Sequence, residues 1–303
     1  MTTIVFPGQG SQFLGMAKDF HDNFNLAKQI FEEIEDYSKM NLRDIIFYNK
    51  NNYLDTTKYT QISIFAVSYV IFKIFSMETD LKINNINVMM GHSLGEYTAL
   101  ACSNKINLKD CSLILKKRGE LMNNAIAPNE TGMAALIGKD SINIQKIIDE
   151  NKLNLEIAND NSPIQIVISG NINEINKSET VFLKNNIKRF IRLNVSAAFH
   201  SQFMTEAQKM LNHDIDRLNF SENNVRVISN FDADIHNSSL LIKENLKNQM
   251  ANKVKWTSSI KKLEEIGEKN IFEIGPSKVL SGLIKRISKN FNIKSINEIS
   301  DIN

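Results

Sequence analysis

Three observations in this 303-residue chain predict an α/β fold with a largely parallel sheet. Short apolar runs alternate with longer segments of helical periodicity, the order that places helices over both faces of a parallel sheet. Gly91-His92-Ser93-Leu94-Gly95 follows one apolar run and opens a helical segment, as a strand-to-helix turn requires. Between residues 129 and 196 the rhythm changes to strand, helix, strand, strand, helix, strand. That β-α-β-β-α-β order is the split arrangement of a ferredoxin-like unit.

In chain order, strands are expected near residues 3–6, 86–90, 225–229 and 270–274, where β-branched and apolar residues cluster. Helices are expected near 12–20, 24–38, 60–77, 94–103, 107–126, 202–212, 240–250, 256–267 and 277–289, where apolar residues recur every three or four positions. The changed rhythm gives strands at 133–137, 154–159, 164–169 and 188–195, with helices at 142–151 and 172–185. The expected division is an α/β-hydrolase-like subdomain of residues 1–128 and 197–303, interrupted by a ferredoxin-like subdomain of residues 129–196.

Composition narrows the function classes. An apolar content of 42% with 23% charged residues is ordinary for a globular chain with a large core. The formal charge of +2 aims no strong field at nucleic acid or a membrane. Lys116-Lys117-Arg118 and Lys285-Arg286 are short basic clusters, read first as solvated helix faces that could also meet an acidic partner. Only seven of the 36 basic residues are arginine, so the Asn- and Lys-rich patches reflect coding bias. Cys102 and Cys111 lack ligand spacing and sit in apolar surroundings, which predicts reduced core residues and no metal site. The chain opens on a strand-like run, and the apolar stretch from residue 62 to 77 is short for a bilayer and broken by Lys73. A cytoplasmic protein without a membrane segment is expected.

Ser93 is the expected nucleophile, presented at a strand's end between two glycines that let the backbone turn sharply. The amide of Leu94, in the first helical turn, points where an oxyanion would form. Five histidines are available, and His200 is the best base: Ser196-Ala197-Ala198-Phe199-His200-Ser201 follows the last strand of the 129–196 unit and precedes an amphipathic helix. That helix N-terminus would keep the imidazole neutral. His92 adjoins the serine and suits packing or positioning, while His21, His213 and His236 lie in polar contexts expected at the surface. No acidic residue between Ser93 and His200 stands in an evident strand-end loop, so a dyad oriented by a neutral group is expected. The turn Phe6-Pro7-Gly8-Gln9-Gly10 follows the first strand and can aim the Gln9 amide at the serine as second oxyanion donor. It lacks the lysine or third glycine of a phosphate loop.

Arg118 suggests the substrate. It falls on the apolar stripe of Leu108, Cys111, Ile114, Leu115 and Met122, seven after Cys111 and three after Leu115. A guanidinium there needs an anion, and its planar fork suits a carboxylate. A salt bridge to a buried acid, or a stem that snorkels outward, satisfies the same position.

The segments Phe6–Gln12, Gly91-His-Ser-Leu-Gly-Glu96-Tyr97, Lys117-Arg-Gly-Glu-Leu-Met122, Asn161-Ser-Pro163, Gln165-Ile-Val-Ile-Ser-Gly170, Val195-Ser-Ala-Ala-Phe-His200 and Phe272-Glu-Ile-Gly-Pro276 run in order over nearly the whole chain. Together they resemble the malonyl-CoA:acyl-carrier-protein transacylase family, and the 117–122 and 195–201 segments most resemble its free-standing, trans-acting polyketide members. The resemblance implies malonyl transfer from malonyl-CoA to an acyl carrier protein, for fatty-acid or polyketide synthesis, with no resident cofactor. It implies Ser93 as the acylated residue, His200 as base then acid, and Gln9 and Leu94 as oxyanion donors. Arg118 would bind the malonyl carboxylate, Phe199 would crowd the carbon between the two carbonyls, and Asn159 would line the cleft. Gln249 would orient the histidine through its backbone. Thr60-Gln61-Ile62 lacks the proline that family members often carry there, which weakens any role for Gln61. An acyl hydrolase acting on carrier proteins is the rival, and Arg118 argues against it. A non-catalytic carrier-docking module would be expected to lack Ser93 or His200, and both are present.

Overall fold

A computed structural model describes residues 2–79 and 81–302. In chain order the strands are β1 (Thr2–Phe6), β2 (Ile86–Gly91), β3 (Thr131–Ile137), β4 (Leu155–Ser162), β5 (Gln165–Asn171), β6 (Arg189–Arg192), β7 (Arg226–Ile228), β8 (Ile235–His236), β9 (Asn270–Ile274) and β10 (Asn292–Ile296). The helices are α1 (Lys18–Asn23), α2 (Asn25–Ser38), α3 (Leu42–Phe47), α4 (Thr57–Glu78), α5 (Leu94–Cys102), α6 (Leu108–Asn124), α7 (Ser141–Glu150), α8 (Ile172–Lys184), α9 (Thr205–Arg217), α10 (Ser239–Gln249), α11 (Trp256–Glu265) and α12 (Val279–Ile287).

The large sheet has the order β10-β9-β1-β2-β7-β8, parallel throughout except for the antiparallel edge pair β7–β8. Its central strand β1 is buried on both faces at Ile4, Val5 and Phe6, which is why the sequence there reads as a continuous apolar run. The second sheet has the order β4-β5-β3-β6 and is antiparallel. Helices α7 and α8 pack on it over a separate core that includes Ile144, Ile148, Ile175 and Phe182. This is the expected β-α-β-β-α-β unit.

The two sheets are stitched beside the cleft between them. Val254, just before α11, exchanges backbone bonds with β4 through Asp160 N–H and Ala158 C=O, each at 2.9 Å. Thr257 Oγ1 and Ser141 Oγ both donate to the Asp160 carboxylate, at 2.6 and 2.8 Å. The position of β4 against the large sheet is therefore fixed by hydrogen bonds as well as by packing.

Helix α4 is 22 residues long and apolar enough to cross a membrane by length and composition, but 83% of its apolar window is buried inside the fold. It is a core helix, and its burial on every side explains its lack of a polar face. Cys102 and Cys111 are free and buried, as expected. Four features depart from expectation. Residues 12–17 form no helix, because Gly15 (φ 81°) and Ala17 (φ 56°) take left-handed conformations and delay α1 to Lys18. The short elements α3 and β8 fall below the length at which periodicity is readable, and β10 is missed because most of its residues are not buried. The last strand of the smaller sheet stops at Arg192, leaving 193–195 as a connector. The helix expected at 202–212 opens with a 3₁₀ turn, Gln202–Met204, and runs on to Arg217.

Candidate active site

The nucleophile elbow is built by strain and close packing. Ser93 joins β2 to α5 with φ 55° and ψ −107°, a conformation that costs a non-glycine residue about 1–3 kcal/mol and persists only when neighbours over-determine it. The flanking glycines are required by proximity: a Cβ on Gly91 would lie 2.1 Å from the Gly95 carbonyl carbon, and one on Gly95 would lie 2.2 Å from Phe6 O. The strained torsion itself falls on the serine. Asn230, two residues beyond β7, holds it there: its Oδ1 accepts the Ser93 N–H at 2.6 Å and its Nδ2 donates to Gly91 O at 2.7 Å.

His200 comes from the segment that follows β6, also with a left-handed backbone (φ 55°). Its Nε2 lies 2.8 Å from Ser93 Oγ. Its Nδ1 lies 3.1 Å from the carbonyl oxygens of both Gln249 and Asn252. Carbonyls only accept, so Nδ1 carries the hydrogen and Nε2 offers its lone pair to the serine hydroxyl. The expected neutral orienting group is thus a pair of backbone carbonyls. Burial pushes the His200 pKa down to about 3, helped by the charge of Arg118 and by His92. The expectation that a helix N-terminus keeps the ring neutral gives way to desolvation as the main cause.

The amides of Leu94 and Gln9 make no hydrogen bond to any described residue, which leaves them open toward an oxyanion. Leu94 is the first residue of α5, and the Gln9 side chain donates through Nε2 to Thr57 Oγ1 at 3.2 Å.

Arg118 is fully buried, yet its hydrogen-bond acceptors among the described residues are all neutral. Its Nη2 donates to Ser93 Oγ at 3.1 Å and to Gln249 Oε1 at 2.9 Å, and its Nη1 donates to Gln61 Oε1 at 2.6 Å. The guanidinium lies 5.5 Å from the Tyr97 ring centroid, and its Nε is buried without a partner. Neutral acceptors only partly compensate a buried cation, so the alternatives of a salt bridge or an outward stem are removed. Gln61 belongs to the centre despite the missing proline, because its position one turn into α4 is set by the helix.

Ser93, His200 and Phe199 line a cavity of about 90 Å³ with Gln9, Gln61, His92, Met122, Met133, Asn159, Leu193 and Val195. It is suited to a short acyl group. Through Gln9, His92, Asn159, Leu193 and Val195 it continues into a cleft of about 370 Å³ between the two sheets. His92 takes a positioning part: its Nε2 lies 2.8 Å from Asn161 Oδ1 and its ring packs on Trp256 at 5.5 Å. Every expected site residue therefore meets in one place. His21 and His236 are half-buried, in contact with Asp22 and Asp232 respectively, and His213 is exposed.

Sequence reasoning passed over Asn230, Glu96, Asn252 and the contact made by Gln61. Asn230 had one signal, its place just past the carboxyl end of a parallel strand, where ligands and catalytic groups gather in open α/β sheets.

A serine held under strain, its proton acceptor fixed from behind, and a desolvated cation within reach of the same hydroxyl define an α/β enzyme of the acyl-transfer class that takes an anionic acyl group. The comparisons agree. The acyl transferase domain family matches residues 3–300. The chain is 35% identical over 298 residues to the malonyl CoA-acyl carrier protein transacylase of Bacillus subtilis (strain 168), spanning 97% of this chain and 92% of that one. It is also 35% identical to that organism's polyketide biosynthesis malonyl CoA-acyl carrier protein transacylase PksC, over 95% of this chain and 98% of the relative. A solved complex of a type II PKS acyl-carrier protein with its malonyl-transacylase superposes with a TM-score of 0.94 at 31% identity, over 99% of this chain and 97% of that one. The chain belongs to the malonyl CoA-acyl carrier protein transacylase family.

Proposed function

We propose that the protein transfers malonyl from malonyl-CoA to the phosphopantetheine thiol of an acyl carrier protein through a malonyl ester on Ser93. The observation that carries this is Arg118, a buried cation without an acid partner among the described residues, 3.1 Å from Ser93 Oγ. In malonyl-CoA one methylene separates the free carboxylate from the thioester carbonyl. A guanidinium that touches the nucleophile can therefore exchange its serine contact for that carboxylate while the carbonyl sits over Oγ.

Ser93 Oγ attacks the thioester carbonyl as its proton passes to His200 Nε2, and the carbonyl oxygen takes negative charge beside the Leu94 and Gln9 amides. Collapse breaks the carbon–sulfur bond, and the proton on His200 leaves with the coenzyme A thiolate. The carrier thiol then gives its proton to Nε2 and attacks the ester, and Ser93 recovers its proton. No resident cofactor enters the scheme. A cytoplasmic enzyme is proposed, with residues 1–128 and 197–303 as the catalytic subdomain and 129–196 as the smaller one. Resemblance in the 195–201 segment supports polyketide carriers beside fatty-acid ones.

The test is intact-mass measurement after mixing with malonyl-CoA alone, then with a panel of purified carrier proteins. A malonyl adduct on Ser93 that is discharged onto at least one carrier faster than to water is expected. Discharge to water at the same rate with and without every carrier would establish the hydrolase instead.

A further inference from the structure

Glu96 is a buried carboxylate, one turn into the helix after the nucleophile, that takes no part in the scheme above. Its Oε2 accepts from Gln249 Nε2 at 2.8 Å and from the Asn230 backbone N–H at 3.0 Å. Each partner passes the contact on. Gln249 Oε1 accepts from Arg118 Nη2, its Nε2 also donates to Ser93 O at 2.9 Å, and its backbone carbonyl holds His200. Asn230 brackets the elbow, accepting the Ser93 N–H and donating to Gly91 O.

We propose that Glu96 is the positioning residue of the carboxylate anchor, acting on Arg118 through the Gln249 amide. An ionised carboxylate only accepts, so it helps fix which end of the Gln249 amide faces Arg118. Its charge acts on Arg118 across that amide. A direct Glu96–Arg118 pair would take up the guanidinium donors, whereas an interposed neutral amide leaves the donor now on Ser93 Oγ exchangeable for a second carboxylate. Burial raises the Glu96 pKa to about 7, opposed by donors from Gln249, Asn230 and Ser229.

This inference rests on Arg118 being the malonyl anchor, and the experiment separates the two. Initial rates of Ser93 loading from malonyl-CoA and acetyl-CoA are measured for the wild type, Glu96→Gln, Arg118→Ala and the double variant, with folding checked by circular dichroism. Glu96→Gln keeps the shape and removes the charge. It is expected to slow malonyl loading about 10–30-fold and acetyl loading no more than about threefold, since charged acceptors bind roughly twice as strongly as neutral ones. In the Arg118→Ala background it should add only the acetyl-sized effect, the signature of a coupled pair. If Glu96→Gln does not fold, Glu96→Asp, which keeps the charge but shortens the reach, is measured under the same criteria. Equal slowing of both thioesters, or an undiminished effect in the Arg118→Ala background, would overturn the role given to Glu96. A wild type that loads malonyl no better than acetyl would instead overturn the anchor on which it rests.

Discussion

The two walls of the catalytic cleft are built in opposite ways. On the large-sheet side, Ser93, Asn230, Gln249, Glu96, Gln61 and Arg118 are buried polar groups whose hydrogen bonds commit one another to single orientations. On the side of the smaller sheet, the cavity is closed by Met133, Leu193, Val195 and Phe199, with Asn159 the polar exception. The first wall has to hold charge and a proton in fixed places, which a network of mutually oriented hydrogen bonds can do in a desolvated site. The second has only to be the right shape. Mechanism should therefore fail on one wall and selectivity should drift on the other.

The largest effect is expected where the network touches the bond being made. Ser93→Ala should abolish the malonyl adduct in intact-mass measurements, and His200→Ala should slow its formation by roughly 10²–10⁴-fold, the usual worth of a positioned general base. Adduct formation at full rate in His200→Ala would assign the proton to another group and break the first half of the comparison.

The apolar wall should show a smaller, selective effect. Phe199 is buried at the cavity, fixed by its carbonyl accepting from Ser169 Oγ at 2.7 Å. One added methyl against a packed ring costs about 1–3 kcal/mol, so malonyl should be preferred to methylmalonyl by roughly 10–200-fold. Phe199→Ser should narrow that ratio in a competition assay while leaving malonyl loading within about threefold. A large loss of malonyl loading with an unchanged ratio would place Phe199 in the machinery instead of the wall.

Two pH effects should be milder still. His200 loses its lone pair only as pH falls toward about 3, so malonyl loading in Glu96→Gln, where the Glu96 titration is absent, should show no acid limb with a midpoint near the ordinary histidine value. A limb near pH 6.5 that persists in Glu96→Gln would show His200 to be solvated. Glu96 is raised to about 7 in the native state, so the native protein binds its proton more tightly than the unfolded chain. The stabilisation of that protonated form is present below about pH 4.5 and is lost as pH rises through about 7. Glu96→Gln should therefore gain melting temperature relative to the wild type across that window, and a constant difference would contradict the burial of its charge.

What was legible in the sequence follows the same division. The elbow could be read because it is local: five residues, a strand before and a helix after. Arg118 could be read because a cation on an apolar helical stripe is anomalous wherever the helix lies. Glu96 and Asn230 could not, since a lone polar residue acquires its role only when distant elements meet, and 134 positions separate these two. Gln61 was undervalued for the same reason, its acceptor being needed by a guanidinium 57 residues away. In the fold, the antiparallel unit and the main parallel strands were plain from periodicity. The β10 edge was hidden because Asn292 and Lys294 face outward and only Ile296 is fully buried. The helix expected at 12–20 failed on backbone conformation at Gly15 and Ala17, which apolar spacing does not report.

Arg118, buried among neutral acceptors, is held for a carboxylate. Ser93 loading rates from malonyl-CoA and acetyl-CoA, measured side by side in Arg118→Ala and the wild type, test it most directly. Removing the anchor strands the malonyl charge in a partly desolvated cleft, so malonyl loading should fall by about 10²–10³-fold, near 3–4 kcal/mol. Acetyl-CoA has no carboxylate to lose, and its slow loading should hold or improve, so that the preference crosses. Equal slowing of both would make Arg118 a structural cation and contradict the account.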